Sequence, residues 1–153
     1  MMKFSAVITA CMLVSTAAYA DVTCGEYASH PMEGGTQGKL DSGLPYAVTH
    51  NHSMVNAKGG GKYDGLSGHC GGFVTAFDNG VHATGACTLE DKDGDIAMYH
   101  FILKRGQHRG TCTRDGGTGK FAKSFETGWF QQTSQDENGA KGLWGGKSAA
   151  VCK

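Results

Sequence analysis

Two short motifs in the sequence come close to known nucleotide-binding or catalytic signatures. Residues 145–148 read Gly-Gly-Lys-Ser, which resembles the end of a phosphate-binding loop. The Walker spacing requires a glycine five residues before Gly146, where this chain has Lys141, and no helical pattern follows. Residues 65–69 read Gly-Leu-Ser-Gly-His, in which His69 replaces the second glycine of the G-x-S-x-G nucleophile elbow. The sequence therefore predicts neither a nucleotide site nor a serine nucleophile.

Four acidic residues surround one turn and are candidate calcium ligands. Glu90, Asp91, Asp93 and Asp95 carry the oxygen donors that a hard cation prefers. The glycine of this turn, Gly94, stands at the fourth place, whereas an EF-hand loop needs glycine at the sixth. We therefore expect a solvated turn here.

The histidines are candidate ligands for a transition metal. His50 and His52 lie on one side of a strand, because strand side chains alternate with a period of two. No third ligand stands at a recognisable spacing from them. The other histidines considered are scattered along the chain: His69, His82, His100 and His108. We therefore expect ordinary surface or core histidines, and no metal or other cofactor.

The first twenty residues have the pattern of a secretory signal peptide. A positive charge at Lys3 precedes an apolar run, and Ala18-Tyr19-Ala20 matches the A-x-A cleavage motif. Cleavage between Ala20 and Asp21 predicts an exported protein, periplasmic or secreted. Lipid attachment at Cys11 is the weaker alternative, because it leaves an apolar region at the lower limit of the usual length. No later segment approaches the roughly 18 apolar residues of a transmembrane helix.

Composition and charge limit the class of protein. The chain has 153 residues, of which 39% are hydrophobic, enough for one domain with its own core. Its 14 basic and 14 acidic residues form no long run of one sign, so no nucleic-acid partner is predicted. Six cysteines leave five after cleavage, an odd number. In an oxidising compartment these form two disulfides at most and leave one thiol.

Alternation and glycine-rich turns predict an all-β chain. Residues 21–45 are polar and glycine-rich, which indicates an N-terminal arm with at most one short strand, and residues 46–153 form the barrel domain. Strands at intervals of eight to twelve residues favour a small up-and-down antiparallel β-barrel of about eight strands. The segment from Ile96 to Leu103 is apolar on both faces apart from His100, which indicates burial or contact with a second subunit. The predicted strands cover residues 46–52, 66–77, 81–90, 96–103, 111–113, 125–133 and 143–151.

One hairpin predicts a disulfide. Asp78-Asn79-Gly80 is a strong signal for a tight turn, and a two-residue loop there places Cys70 directly opposite Cys87. Cys24 and Cys152 lie near the two ends of the chain, which meet in a closed barrel, so they are the second predicted pair. Cys112 is then the remaining thiol, a nucleophile only where it stays reduced.

A glycine turn, Gly-Gly-Thr-Gly-Lys-Phe at residues 116–121, has an approximate copy at residues 59–63. Together with Cys70, Gly85-Ala86-Cys87 and the acidic turn 91–95, it resembles small exported bacterial proteins related to the allene oxide cyclase and dirigent barrels. The resemblance covers roughly residues 66–151 and implies an eight-stranded lipocalin-like barrel, typically oligomeric. The cyclases act on an epoxide fatty acid and dirigent proteins steer radical coupling. None of their working residues can be matched here, so the resemblance implies a scaffold and no activity.

Aromatic residues are the candidates for a ligand site. Phe73, Tyr99, Phe101 and Trp129 are explained most simply as core packing, and a subset of them lines a ligand cavity if the barrel is open.

The first hypothesis is a non-enzymatic exported barrel that binds a small apolar ligand or serves as an interaction module. The alternatives are a cyclase-like enzyme acting on a hydrophobic small molecule, and an envelope-associated structural protein that assembles as a homo-oligomer through the strand from Ile96 to Leu103.

Overall fold

The computed structural model describes residues 21–123 and 126–153. The predicted signal peptide, residues 1–20, lies outside the described residues. The described chain contains short 3-10 turns at Gly119–Phe121 and Ala149–Cys152 and nine strands: β1 (Val22–Pro31), β2 (Thr36–Lys39), β3 (Pro45–Ala57), β4 (Leu66–Phe77), β5 (Gly80–Glu90), β6 (Ile96–Leu103), β7 (Gly110–Gly117), β8 (Glu126–Asp136) and β9 (Gly139–Gly146).

The strands form a closed antiparallel barrel. From β3 to β9 each strand pairs with the next along the chain, and β1 pairs with both β9 and β3. β2 continues the line of β1 along the other half of β3, so eight strand positions close the wall. Hydrophobic alternation and tight turns lead to this topology because sequential hairpins close a sheet without long crossovers. The predicted eight-stranded, disulfide-linked antiparallel barrel is confirmed.

The N-terminal segment differs from the arm expected over residues 21–45. β1 forms backbone ladders on both of its edges and completes the barrel wall. Gly25 in β1 allows neighbouring strands to pack closely, because a side chain there would collide with the backbone of Asn56 and the ring of Trp144. Composition alone cannot distinguish such a glycine from one in a loose arm.

The C-terminal boundaries also differ from expectation. β8 and β9 extend beyond the strands predicted at residues 125–133 and 143–151, and they pair as far as Asp136 and Gly139. β9 ends at Gly146, and a 3-10 turn at Ala149–Cys152 stands where the end of the last strand was expected.

Alternate residues of each strand face the interior. In β5 the face that carries Cys87 and Leu89 points inward. At one end of the barrel the interior is filled by five buried residues, and we call this the closed end: Tyr63, Leu66, Leu89, Ala97 and Phe121. The opposite end, at the β4–β5 and β8–β9 hairpins, is called the open end.

The two glycine turns close the barrel together. Each contributes one ring to the closed end, and the rings of Tyr63 and Phe121 stack with centroids 5.9 Å apart. A side chain at Gly117 would collide with the carbonyl oxygen of Ile96, so the turn approaches β6 more closely than other residues permit. The repeated motif is therefore a structural plug.

Both predicted disulfides are present. Cys70 and Cys87 are direct partners across β4 and β5 and are bonded to each other. Cys24, at a bulge in β1, is bonded to Cys152 in the final 3-10 turn. In the described part of the chain Cys112 is a free thiol.

Candidate functional site

The interior of the barrel is unequal at its two ends. At the closed end the inward side chains are almost fully buried, with Leu66 and Phe121 exposed by 1% or less. Toward the open end the inward residues Val74, Ala83 and Leu103 are only half-buried. The inner wall is therefore less tightly covered toward the open end, and we call this wall the bore.

Aromatic rings lie flat against glycines on the wall of the bore. A methyl group at Gly85 would lie 2.5 Å from Cζ of Phe101, and one at Gly72 would lie 3.1 Å from the same atom. The ring of Tyr27 covers Gly142 on β9, and a third ring crosses Gly110 on β7 in the same manner. Glycine leaves room for a ring along the wall, so these side chains give the bore apolar surface.

Two of these rings form an aromatic corner. Phe130, the ring over Gly110, meets Phe101 edge to face, with centroids 5.9 Å apart. Edge-to-face pairs are favourable beyond their buried area. The corner gives the bore an apolar surface.

Three polar groups lie among these rings. Burial raises the pKa of Cys112 to about 11 and the pKa of Tyr27 to about 12. Burial also raises the pKa of Tyr99. At neutral pH the thiol and both phenols are therefore uncharged hydrogen-bonding groups, and Cys112 lacks the thiolate character of a catalytic nucleophile.

A buried arginine separates the bore from the closed end. Arg114 is fully buried and donates a hydrogen bond from Nη1 to the carbonyl oxygen of Phe121, at 3.3 Å. Its Nη2 lies 3.4 Å from Oε1 of Glu126, which also receives a 2.9 Å contact from Lys62. None of the described residues forms a hydrogen bond with Nε or Nη2 of Arg114. Because a buried unpaired donor is costly, this guanidinium retains capacity for an acceptor.

The structure divides the four predicted ligand-binding residues into two pairs. Tyr99 and Phe101 face the bore, as partners of the inward residues Cys87 and Gly85. Phe73 faces outward and stacks on Tyr46, with centroids 5.7 Å apart. Trp129 also faces outward, where the guanidinium of Arg109 lies 4.1 Å from its ring centroid.

The pairing register explains why two of the predicted residues face the bore and two face outward. It also identifies bore residues that the sequence analysis did not select. Phe73 and Trp129 occupy the outward phase of their strands, which aromatic composition alone does not reveal. Tyr27 was hidden in the segment expected to be an arm, and Phe130 neighbours the residue that was chosen. Gly128 pairs with the inward Cys112, and Phe130 lies two residues further along β8, on the same face of the strand. This alternation is the signal that could have identified Phe130.

The acidic turn is held by protein groups. Oδ1 of Asp91 accepts hydrogen bonds from the backbone N–H groups of Asp93 and Asp95, and Lys120 forms ion pairs with Asp91 and Asp93. A hydrogen bond from Lys120 lowers the pKa of Asp91, and hydrogen bonds from Lys92 and then Lys120 lower that of Asp93. The carboxylates of the predicted calcium candidate therefore fasten the glycine turn 116–121 to β6. Within residues 21–123 and 126–153 no group of three or more His, Cys, Asp or Glu side chains has metal-binding geometry.

The strand expected to bear an oligomer contact has one inward and one outward face. Ala97, Tyr99 and Phe101 point inward, which accounts for half of its apolar character. Met98 points outward and is 50% exposed. Homo-oligomer formation through this strand stays a prediction.

Two grooves lie on the outer wall. The larger has a volume of about 490 Å³ and includes His52, His69 and Glu90 in its lining. The smaller, about 320 Å³, lies where β1 gives way to β2 and is lined in part by Met32 and His50. Both grooves are open to solvent.

The fold and the bore define a closed antiparallel β-barrel whose apolar interior is filled at one end. No family model matches the chain, and no curated protein matches it at a significant level. The likeness to allene oxide cyclase and dirigent barrels therefore remains a resemblance. In the described part of the chain, no helix has the length and apolar character needed to cross a bilayer.

Proposed function

We propose that the protein binds a small apolar molecule in the bore and catalyses no reaction on it. The observation that carries this proposal is the gradient of burial inside the barrel, from a filled closed end to half-buried inward side chains at the open end. Small barrels that bind ligands do so in their mouths, with apolar walls and a few polar groups that fix orientation.

The chemistry of the wall supports an uncharged ligand. Phe101 and Phe130 supply apolar surface, and Cys112, Tyr27 and Tyr99 supply hydrogen-bonding groups that are neutral at pH 7. A cyclase-like enzyme, the alternative, needs a group that takes or gives a proton near neutral pH. The raised pKa values make these three groups poor candidates for that role.

We further propose that the protein works outside the cytoplasm. Two disulfides, Cys24–Cys152 and Cys70–Cys87, fit an oxidising compartment. Export through the predicted signal peptide, residues 1–20, agrees with them, and the mature chain would begin at Asp21.

Binding of the fluorescent apolar probe N-phenyl-1-naphthylamine tests the proposed site. Ala83 faces the bore near its mouth, between Val74 and Leu103, so Ala83→Phe places a ring in the ligand's path. We expect saturable enhancement of probe fluorescence in the wild-type protein, and a dissociation constant raised about tenfold or more, about 1.4 kcal/mol, by Ala83→Phe.

The matched control is Ala86→Phe, the same change on the exposed outer face of the same strand. It should leave the dissociation constant within about twofold, since it adds apolar surface outside the bore. Absence of saturable binding, or equal effects of the two variants, would contradict the proposed site.

A further inference from the structure

Three soft or borderline donor groups meet on the outer wall of the barrel, away from the bore. His52 on β3 and His69 on β4 are direct partners in the strand register and project from the same outer face. The thioether of Met32, from the segment between β1 and β2, reaches the same place, and its sulfur lies 3.3 Å from Nδ1 of His69. The sequence distances between these residues hide the cluster.

The backbone holds the methionine in position. The N–H of Met32 donates a 2.8 Å hydrogen bond to the carbonyl oxygen of His50, which extends the ladder between β1 and β3 by one residue. Met32 therefore occupies the outward phase beside β3, and its side chain spans that strand to reach His69 on β4. Two donors therefore stand at strand positions, and a backbone hydrogen bond holds the third one residue beyond the end of β1.

The spacing fits ligands of one metal ion. A nitrogen about 2.0 Å and a sulfur about 2.3 Å from one tetrahedral ion lie about 3.5 Å apart, close to the 3.3 Å between His69 Nδ1 and Met32 Sδ. The rings of His52 and His69 are nearly perpendicular with centroids 5.7 Å apart. Two imidazoles on one ion have centroids roughly 5 to 5.5 Å apart, since each ring centre lies about 3 Å from the metal. The two rings of this protein therefore lie about 0.2 to 0.7 Å farther apart than two imidazoles on one ion.

We propose that His52, His69 and Met32 form a binding site for Cu(I). Thioether sulfur is a soft ligand that suits Cu(I), and imidazole accepts both Cu(I) and Zn(II). The usual ligands of Zn(II) are thiolate, imidazole and carboxylate, a set that does not include the thioether. Two of the three donors are histidines. The third is the thioether of Met32, a donor that sites built from histidine and carboxylate ligands lack. Solvent access is direct, because Met32 is 42% exposed and His69 is exposed.

Competition with bicinchoninate under anaerobic conditions tests the proposal on the mature chain without a histidine tag. Ascorbate keeps copper as Cu(I) and leaves both disulfides intact. All variants carry Cys112→Ala, which removes the free thiol as a rival Cu(I) ligand. We expect one equivalent of bound Cu(I), and an affinity lowered at least tenfold by Met32→Leu and by His69→Phe.

A parallel Zn(II) titration separates thioether ligation from structural damage. Because Zn(II) gains little from a thioether, Met32→Leu should leave Zn(II) affinity within about twofold, whereas His69→Phe should lower the affinity for both metals. His82→Ala is the matched control, as it removes a histidine from the outer face of β5 and should change neither affinity.

Copper K-edge absorption gives a second readout, in which the wild-type site shows a sulfur near 2.3 Å that Met32→Leu removes. The proposal is overturned if the Cys112→Ala protein binds no Cu(I), if Met32→Leu and His69→Phe bind it as tightly as His82→Ala, or if Met32→Leu weakens both metals equally.

Discussion

At the scale of single residues, Cys112 shows how burial controls reactivity. Its thiol faces the bore, opposite Phe101 and Gly128 in the strand register, and burial raises its pKa to about 11. The thiolate is the reactive form of cysteine, so at pH 7 only about one thiol in ten thousand is reactive. A free thiol inside the barrel is thereby protected from oxidation and exchange.

Alkylation of Cys112 by iodoacetamide should follow this raised pKa. We expect the rate in the folded protein to rise about tenfold per pH unit from pH 7 to 10, because the thiolate fraction rises in that proportion. Mass spectrometry of the modified Cys112 peptide measures the rate.

Urea-unfolded protein is the control, in which the rate should level off near the ordinary thiol pKa of about 8.5. Because the folded pKa is the higher one, the thiol ionises first in the unfolded chain. The contribution of the neutral Cys112 thiol to the free energy of unfolding is therefore fully present below about pH 8.5, and it is lost as pH rises toward about 11. A folded-state rate that levels off at the same pH as the unfolded one would show that Cys112 is not desolvated.

At the scale of elements, the glycine turn 116–121 depends on backbone geometry. Gly119 has φ +48°, and the carboxylate of Asp95 occupies the place where a side chain would be. That carboxylate accepts a 3.1 Å hydrogen bond from the N–H of Lys120. The turn and the acidic segment 91–95 thus form one unit that positions Phe121 in the closed end.

Gly119→Ala should destabilise the barrel more than Gly59→Ala does. Gly59, in the approximate copy of the turn, also has positive φ, +84°, but open space around it. We expect about 1 kcal/mol for Gly59→Ala from the left-handed backbone alone. Gly119→Ala should cost about 2 kcal/mol or more, because it also displaces the hydrogen-bonded carboxylate of Asp95.

Urea unfolding followed by circular dichroism measures both values. Equal costs for the two glycine substitutions would mean that the contact with Asp95 contributes nothing to the turn.

At the scale of the whole molecule, two disulfides close loops of very different length. Cys24–Cys152 joins residues separated by 128 positions and fastens β1 to the C-terminal turn. Cys70–Cys87 joins residues separated by 17 positions that are already partners across one hairpin. The longer bridge constrains the unfolded chain more strongly.

Removal of the longer bridge should therefore be the more destabilising change. In the chain-entropy model, Cys24→Ala with Cys152→Ala costs about 5 kcal/mol and Cys70→Ala with Cys87→Ala about 3 kcal/mol. The free energies of unfolding in urea, measured for the two double variants and the wild type, test this order. A larger loss from the Cys70 pair would show that cross-strand geometry outweighs loop length.

The sequence predicted well those parts of the fold in which consecutive strands form hairpins. Local signals determine the hairpin at Asp78-Asn79-Gly80, the alternation along β5 and the pairing of Cys70 with Cys87, because each needs only neighbours in the chain. The same signals failed at β1, whose pairing partners β3 and β9 lie far away in sequence.

The candidate sites were only partly predictable, for the same reason. Tyr99 and Phe101 face the interior and Phe73 and Trp129 face outward, a difference that residue type does not reveal. The strand register that decides which rings face the bore comes from pairing between strands, and a shift of one residue reverses it.

The sequence by itself determined an all-β, disulfide-linked chain and the tight turns that shape it, since backbone conformation and strand alternation are local properties. Tertiary structure alone decided that the glycine turn at residues 116–121 is a plug, stacked through Phe121 on Tyr63 from its copy. It also decided which face of each strand lines the bore and brought His52, His69 and Met32 together. These outcomes depend on barrel closure, which juxtaposes residues that no local spacing connects.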